Sequence, residues 1–184
     1  MQNVRRKVRM SHLSKVKQSK KVIEIGAVEM INNQITGKQF QTYLNPEGRQ
    51  MNYFAQKVHG ISSDFLKKQP KFSEKYGELT DFLRDSMVIM HNAQFDMKFL
   101  NMEIKNIGKK QLTQKQCMCS VYMASLLYQD EKLSLDSLCK KFGIDLKVRE
   151  KHGALIDAML LAQVYQADYD RFESVRLKLL QQNN

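Results

Sequence analysis

The apolar pattern becomes regular at Val22. The run Val22-Ile23-Glu24-Ile25-Gly26-Ala27-Val28-Glu29-Met30-Ile31 is rich in β-branched and apolar residues and ends in Asn32-Asn33, which turn readily, so it predicts a strand. After Gly37, Gln39-Phe40-Gln41-Thr42-Tyr43-Leu44 alternates with period two and stops at Asn45-Pro46. That predicts a second strand, returning antiparallel beside the first. Phe72, Tyr76, Leu79, Phe82 and Leu83 then recur at helical spacing, and Met87-Val88-Ile89-Met90 reads as a short buried strand. His91-Asn92-Ala93-Gln94-Phe95-Asp96 follows, and Phe95, Phe99 and Leu100 open the next amphipathic helix, which places Asp96 just past a strand's carboxyl end.

Farther along, residues 120–128 and 134–142 predict two short helices, the second capped by Ser134 and stopped by Gly143. The last long helix, Ala154 to about Ala167, is apolar on nearly every side through Leu155, Ile156, Met159, Leu160, Leu161 and Val164, as a helix buried against a sheet would be. Asp157 is its exception. Strands interleaved with helices predict an α/β fold.

Composition narrows the class. The 184 residues, 42% hydrophobic and 27% charged, suit one globular domain, and two prolines, eight glycines and no repeat leave no evident internal linker. No apolar run nears the roughly 18 residues that span a bilayer, and no hydrophobic segment follows the N-terminal charges. A soluble, cytoplasmic protein without a membrane partner is expected. Cys117, Cys119 and Cys139 are an odd count without an export signal, so reduced thiols are expected, and C-x-C without a second ligand pair is poor support for zinc.

Charge divides the chain. Residues 1–21 hold eight bases (Arg5, Arg6, Lys7, Arg9, Lys15, Lys17, Lys20 and Lys21) and no acid, so of the net +11 the remainder carries 22 minus 19, or +3. Such a stretch reads either as a disordered, solvated arm or as a phosphate-binding one, and it bears some likeness to a transit peptide. The expected organisation is a basic N-terminal arm over 1–21, a domain over 22–168 and a polar C-terminal tail over 169–184.

Asp157 carries the sharpest chemical signal. A carboxylate inside an apolar helix costs several kcal/mol unless a metal, a cation or hydrogen bonds offset it, so Asp157 either meets a ligand or lysine or sits at a wet edge. His152, five residues upstream, would lie ~140° around a continuous helix from Asp157. If the helix begins near Gly153 or Ala154, His152 instead hangs from the preceding loop and can reach the same cleft. A histidine that takes a proton near neutral pH, beside carboxylates suited to Mg²⁺ or Mn²⁺, points to metal-assisted phosphodiester hydrolysis. Two ions roughly 3.5 to 4 Å apart usually require several converging carboxylates, however, and Asp96 with Asp157 are too few.

Six blocks together carry a family resemblance: Val22 to Glu29, Asn45-Pro46, Val58-His59-Gly60-Ile61, His91 to Asp96, Ser134 to Cys139, and His152 to Ala158. In this order the chain, from about Val22 to Tyr165, resembles the DEDDh 3′→5′ exonucleases, most closely the proofreading epsilon subunits of bacterial DNA polymerase III. The resemblance implies a ribonuclease-H-like fold with a mixed sheet flanked by helices, two Mg²⁺ or Mn²⁺ ions, a single-stranded DNA 3′ end as substrate and DNA polymerase III subunits as partners. It implies Asp96 and Asp157 as metal ligands, His152 as general base, and Val58, His59 and Phe95 as the lining of the terminal-nucleotide pocket. Without the family, His59 and Phe95 also read as ordinary packing and turn residues.

One departure accompanies the match. The family opens with a strand bearing Asp-x-Glu, and this chain has no acid before Glu24, which matches a different family position. The first strand is therefore expected to be missing or replaced. Val4 to Met10 could fill its place, but Arg5, Arg6, Lys7 and Arg9 suit a doubly buried strand poorly. Left open, the gap would strand two ladders of backbone groups at about 1 to 3 kcal/mol for each buried group, and the domain would be marginal. The expected protein is an N-terminally altered exonuclease homologue with little or no activity alone; the alternatives are a non-catalytic nucleic-acid- or polymerase-binding module and a remnant without function.

Overall fold

Asn32 and Asn33 both take the left-handed conformation, φ 47° and 64°, that a tight hairpin turn requires. They join β2 (Lys21–Ile31) to β3 (Gln34–Tyr43), so the second strand of the hairpin begins five residues earlier than its alternation suggests. The structure is a computed structural model that describes residues 7–16, 21–48, 60–149 and 153–182. Its other strands are β1 (Lys7–Val16), β4 (Met87–Met90) and β5 (Cys117–Cys119). The helices are α1 (Ser63–Lys67), α2 (Phe72–Leu83), α3 (Ala93–Asn106), α4 (Ser120–Leu127), α5 (Leu135–Lys141), α6 (Ala154–Ala167) and α7 (Tyr169–Gln182).

The five strands form one mixed sheet in the order β3-β2-β1-β4-β5. The basic stretch supplies its centre. β1 pairs antiparallel with β2 from Lys7↔Ile31 to Val16↔Lys21, and parallel with β4 from Val8↔Met87 to Ser11↔Met90. Lys7–Val16 was expected to be part of a disordered arm; instead it fills the first strand's place, and the two ladders expected to lack partners are both made.

Side-chain alternation explains how a basic strand is tolerated there. Val8 and Met10 face one way, into a core with Val28, Met30, Ile89 and residues of α4 to α7. Leu13 faces the other, with Ile25, Val88, Met90 and residues of α2 and α3. Arg9 shares that second face and is only 3% exposed, yet its charge is met. The guanidinium pairs with Glu29, donates to the Phe82 carbonyl at 3.0 Å and lies 4.4 Å from the centre of the Phe82 ring. A charge in a doubly covered strand is costly when isolated, and here the neighbouring strand carries its counter-ion.

The stretch expected as a polar tail is helix α7. Its Phe172 and Val175 are buried in the α6 side of the core, and the Phe172 ring stacks on Tyr165 with centroids 5.0 Å apart. Glu173 takes a two-pronged pair from Arg176 at 2.8 and 2.8 Å and a hydrogen bond from the Tyr165 hydroxyl at 2.7 Å, so the polar residues on the buried side satisfy one another. Among the described residues no helix is long and apolar enough to cross a membrane.

Candidate active site

β4 delivers Asp96. The strand ends at Met90, Asn92 takes the left-handed conformation (φ 65°), and α3 starts at once, with Asp96 buried in its first turn. Ser120, at the start of α4, ties this corner down: its hydroxyl lies 3.0 Å from His91 Nδ1 and donates to the Met90 carbonyl at 3.4 Å. Phe95 projects from the same turn, 42% exposed, and packs edge-on against Phe99 with ring centroids 5.0 Å apart.

Asp157 is buried in the first turn of α6, where its amide donates to the Gly153 carbonyl at 3.0 Å. The helix begins at Ala154, after an extended Gly153. His152 itself, with Val58 and His59, lies outside the described residues. Beside α6, burial and then the charge of Asp157 push the Cys139 thiol up to about 11, and burial alone pushes Cys117 up to about 12. Both are neutral thiols at physiological pH and poor nucleophiles or metal ligands.

The two carboxylates of β2, Glu24 and Glu29, both have structural work. Glu24, on β2, is fully buried; its carboxylate accepts the Ala154 amide at 2.9 Å and the Gln41 side-chain amide at 2.9 Å. It therefore caps α6, satisfying one of the backbone donors that a helix start leaves open. Glu29 pairs with Arg9 and accepts the Thr36 hydroxyl at 2.9 Å. Replacing Glu24 by alanine is expected to destabilise the protein by about 1 to 3 kcal/mol through the orphaned amides. Urea denaturation checks this, and a loss under about 0.5 kcal/mol, the size of an ordinary surface substitution, would refute the capping role.

The donor set can be set against what two hard divalent cations need. Oxygen ligands must converge, and in two-metal sites they bridge or surround both ions. Along its whole length β1 has no Asp or Glu, and its α3 face presents Arg9, Ser11 and Leu13. Among the described residues no group of three or more His, Cys, Asp or Glu side chains is placed to hold a metal. The described residues do not fit a pair of divalent cations. Nothing in the sequence pattern signalled the capping use of Glu24, because the contact joins residues 130 positions apart.

Comparison with known proteins gives the family and the fold. The model of the exonuclease family RNase_T matches residues 10–165, which takes in most of β1. The chain is 45% identical over 153 residues to DNA polymerase III subunit epsilon of Rickettsia typhi, a match covering 82% of this chain and 66% of that protein. To the Escherichia coli subunit of the same name it is 39% identical over 151 residues, covering 80% of this chain and 61% of the other. The chain thus spans roughly two thirds or less of the length of these relatives. Among solved structures, the nuclease domain of 3'hExo, a DEDDh family member, superposes with TM-score 0.76 at 16% identity, covering 90% of this chain and 92% of that one. Exonuclease I superposes with TM-score 0.79 at 12% identity, covering 97% and 44%. These last two show the fold, the family match covers most of the sequence, and the chain belongs to the exonuclease family.

Proposed function

We propose that this chain is a catalytically impaired homologue of the proofreading 3′→5′ exonucleases, which keeps the fold and half of the acidic site without the pair of carboxylates that completes it. One observation carries the reading: the central strand, where the family's Asp-x-Glu belongs, has no acid, while the next two acids along the chain, Glu24 and Glu29, are engaged in a helix cap and an ion pair. In this reading Asp96 and Asp157 are the surviving ligands for Mg²⁺ or Mn²⁺, His152 the base, and Val58, His59 and Phe95 the walls against the terminal nucleotide. On this reading the substrate class is the single-stranded DNA 3′ end that the family resemblance implies, and the relatives' name, DNA polymerase III subunit epsilon, supports DNA polymerase III subunits as partners.

The test is release of nucleoside monophosphates from a mismatched primer with Mg²⁺ or Mn²⁺. The expected rate is at least about a thousandfold below that of an intact family member, because metal stabilisation of the reacting phosphate is worth several kcal/mol and each 1.4 kcal/mol is tenfold. A robust rate that Asp157→Ala abolishes would overturn the proposal.

A second reading, retention of single-stranded DNA without cleavage, has support in the exposed Phe95 ring at the site and the net charge of +11. Stacking surfaces and cations together bind single strands with strong salt dependence. Binding that weakens steeply with salt, without product release, is the outcome this reading expects.

A further inference from the structure

We infer that the groove between α4 and α7 docks an acidic, amphipathic helix of another protein. This goes beyond the family activity and does not depend on whether the site hydrolyses DNA. Two recesses adjoin there, about 810 and 400 Å³, and they share Tyr122 and Leu179 in their walls.

α4 explains the shape of the groove. Ser120, Met123 and Ala124 turn into the core, which leaves Tyr122 and Leu126, one helical turn apart, on the outer face at 52% and 48% exposure. A helix with a large apolar outer face is ordinarily covered. Across the groove, Arg171, Ser174, Lys178 and Gln182 line the facing side of α7 at helical spacing. Met97, Met118, Val121 and Leu180 are among the apolar members of the larger recess, which Asn92, Gln94, Gln114 and Ser125 also line.

Charge selects the occupant. Among the described residues neither recess is lined by an Asp or Glu, whereas Lys115 and Lys178 stand on the walls beside Arg171, which already pairs with Asp168 at 3.2 Å. A second copy of this chain, at net +11, brings the wrong sign. Nucleic acid has the right sign, but successive bases need successive aromatic rings, and Tyr122 is the one aromatic side chain among the described residues that line the recesses. An amphipathic helix satisfies both demands, its leucines filling the recesses and its carboxylates meeting Lys115 and Lys178, as in helix-in-groove recognition.

The probe is a labelled 18-residue helical peptide with leucines at i, i+3, i+4 and i+7 and glutamates elsewhere, read by fluorescence anisotropy on the full chain. A twin with lysine for every glutamate and a single-stranded oligonucleotide serve as controls. The glutamate peptide is expected to bind at least tenfold tighter than its lysine twin. The double variant Tyr122→Ala/Leu126→Ala is expected to weaken it at least tenfold, and Lys115→Glu/Lys178→Glu to reverse the preference between the twins. These positions are exposed, and thermal unfolding verifies that each variant is folded; the charge variant carries the test if the apolar one is not. No binding of the glutamate peptide, equal binding of the twins, or indifference to both variants overturns the inference. So does displacement of the peptide by the oligonucleotide, or a dimer that Leu126→Ala dissolves. None of these readouts involves hydrolysis, so the inference can fail while the proposed function stands.

Discussion

Gly26→Ala is expected to cost more than about 3 kcal/mol, out of the ~5–15 that stabilise a domain, and to leave much of the protein unfolded under mild urea. A β-carbon added at this position of β2 would lie 2.2 Å from the Leu155 nitrogen, 2.3 Å from the Ala154 carbonyl carbon and 2.5 Å from the Leu155 α-carbon. All three are main-chain atoms in the first turn of α6, so no side chain can swing aside, and protein interiors leave no slack to absorb the overlap. α6 must lift off the sheet or β2 must bend away from it. Either movement also strains the bond from the Ala154 amide to Glu24, two residues back along β2, and shifts Asp157. Equilibrium urea denaturation followed by circular dichroism measures the loss, with the fraction recovered in soluble form as a second readout. A midpoint for Gly26→Ala matching that of the parent would refute the close approach.

Arg9→Ala is expected to cost about 3 to 5 kcal/mol, because it leaves the Glu29 carboxylate, only 3% exposed, without its main counter-charge. The double replacement Arg9→Met/Glu29→Leu is expected to recover stability to within about 1 kcal/mol of the parent, since an apolar pair of similar volume can replace a buried ion pair. Acid supplies an independent check. Burial pushes the Glu29 carboxyl up, but the Thr36 hydrogen bond and the Arg9 charge outweigh it and hold the group below its ordinary 4.5. A depressed carboxyl contributes stability that is present above the unfolded value and is lost as pH falls through the folded one. The parent therefore loses this contribution below pH 4.5, whereas Arg9→Ala lacks it already, and the gap between the two is expected to narrow as pH falls. Denaturation series at pH 7 and at successively lower pH read the gap directly; a gap that widens on acidification would sink the account, as would a double variant no better than Arg9→Ala.

What the sequence disclosed and what it hid follow from how far each signal reaches along the chain. Val22 to Ile31, Met87 to Met90 and Ala154 to Ala167 were legible because their apolar periodicity is internal to each segment, and the observed elements coincide with them closely. The position of Asp96 past a strand end, and the start of α6 at Ala154, followed from the same local patterns. β1 was hidden because its case rests on partners elsewhere: Arg9 looks unfit for a central strand until Glu29, 20 residues on, and Phe82, 73 residues on, are brought beside it. Cys117–Cys119 is too short to show a period, and α7 keeps its apolar stripe, Phe172, Val175 and Leu179, among lysines, arginines and glutamines that disguise it. The duties of Glu24 were hidden for the same reason, since both its bonds are made across the fold.

The central strand has a wider implication. Its two rows of amide-to-carbonyl bonds are indifferent to which side chains the strand carries, provided each face finds suitable company. Architecture and reactivity are thus written in separate alphabets within these ten residues, one in the main chain and one in what hangs from it. A protein can lose every word of the second and still be spelled correctly in the first.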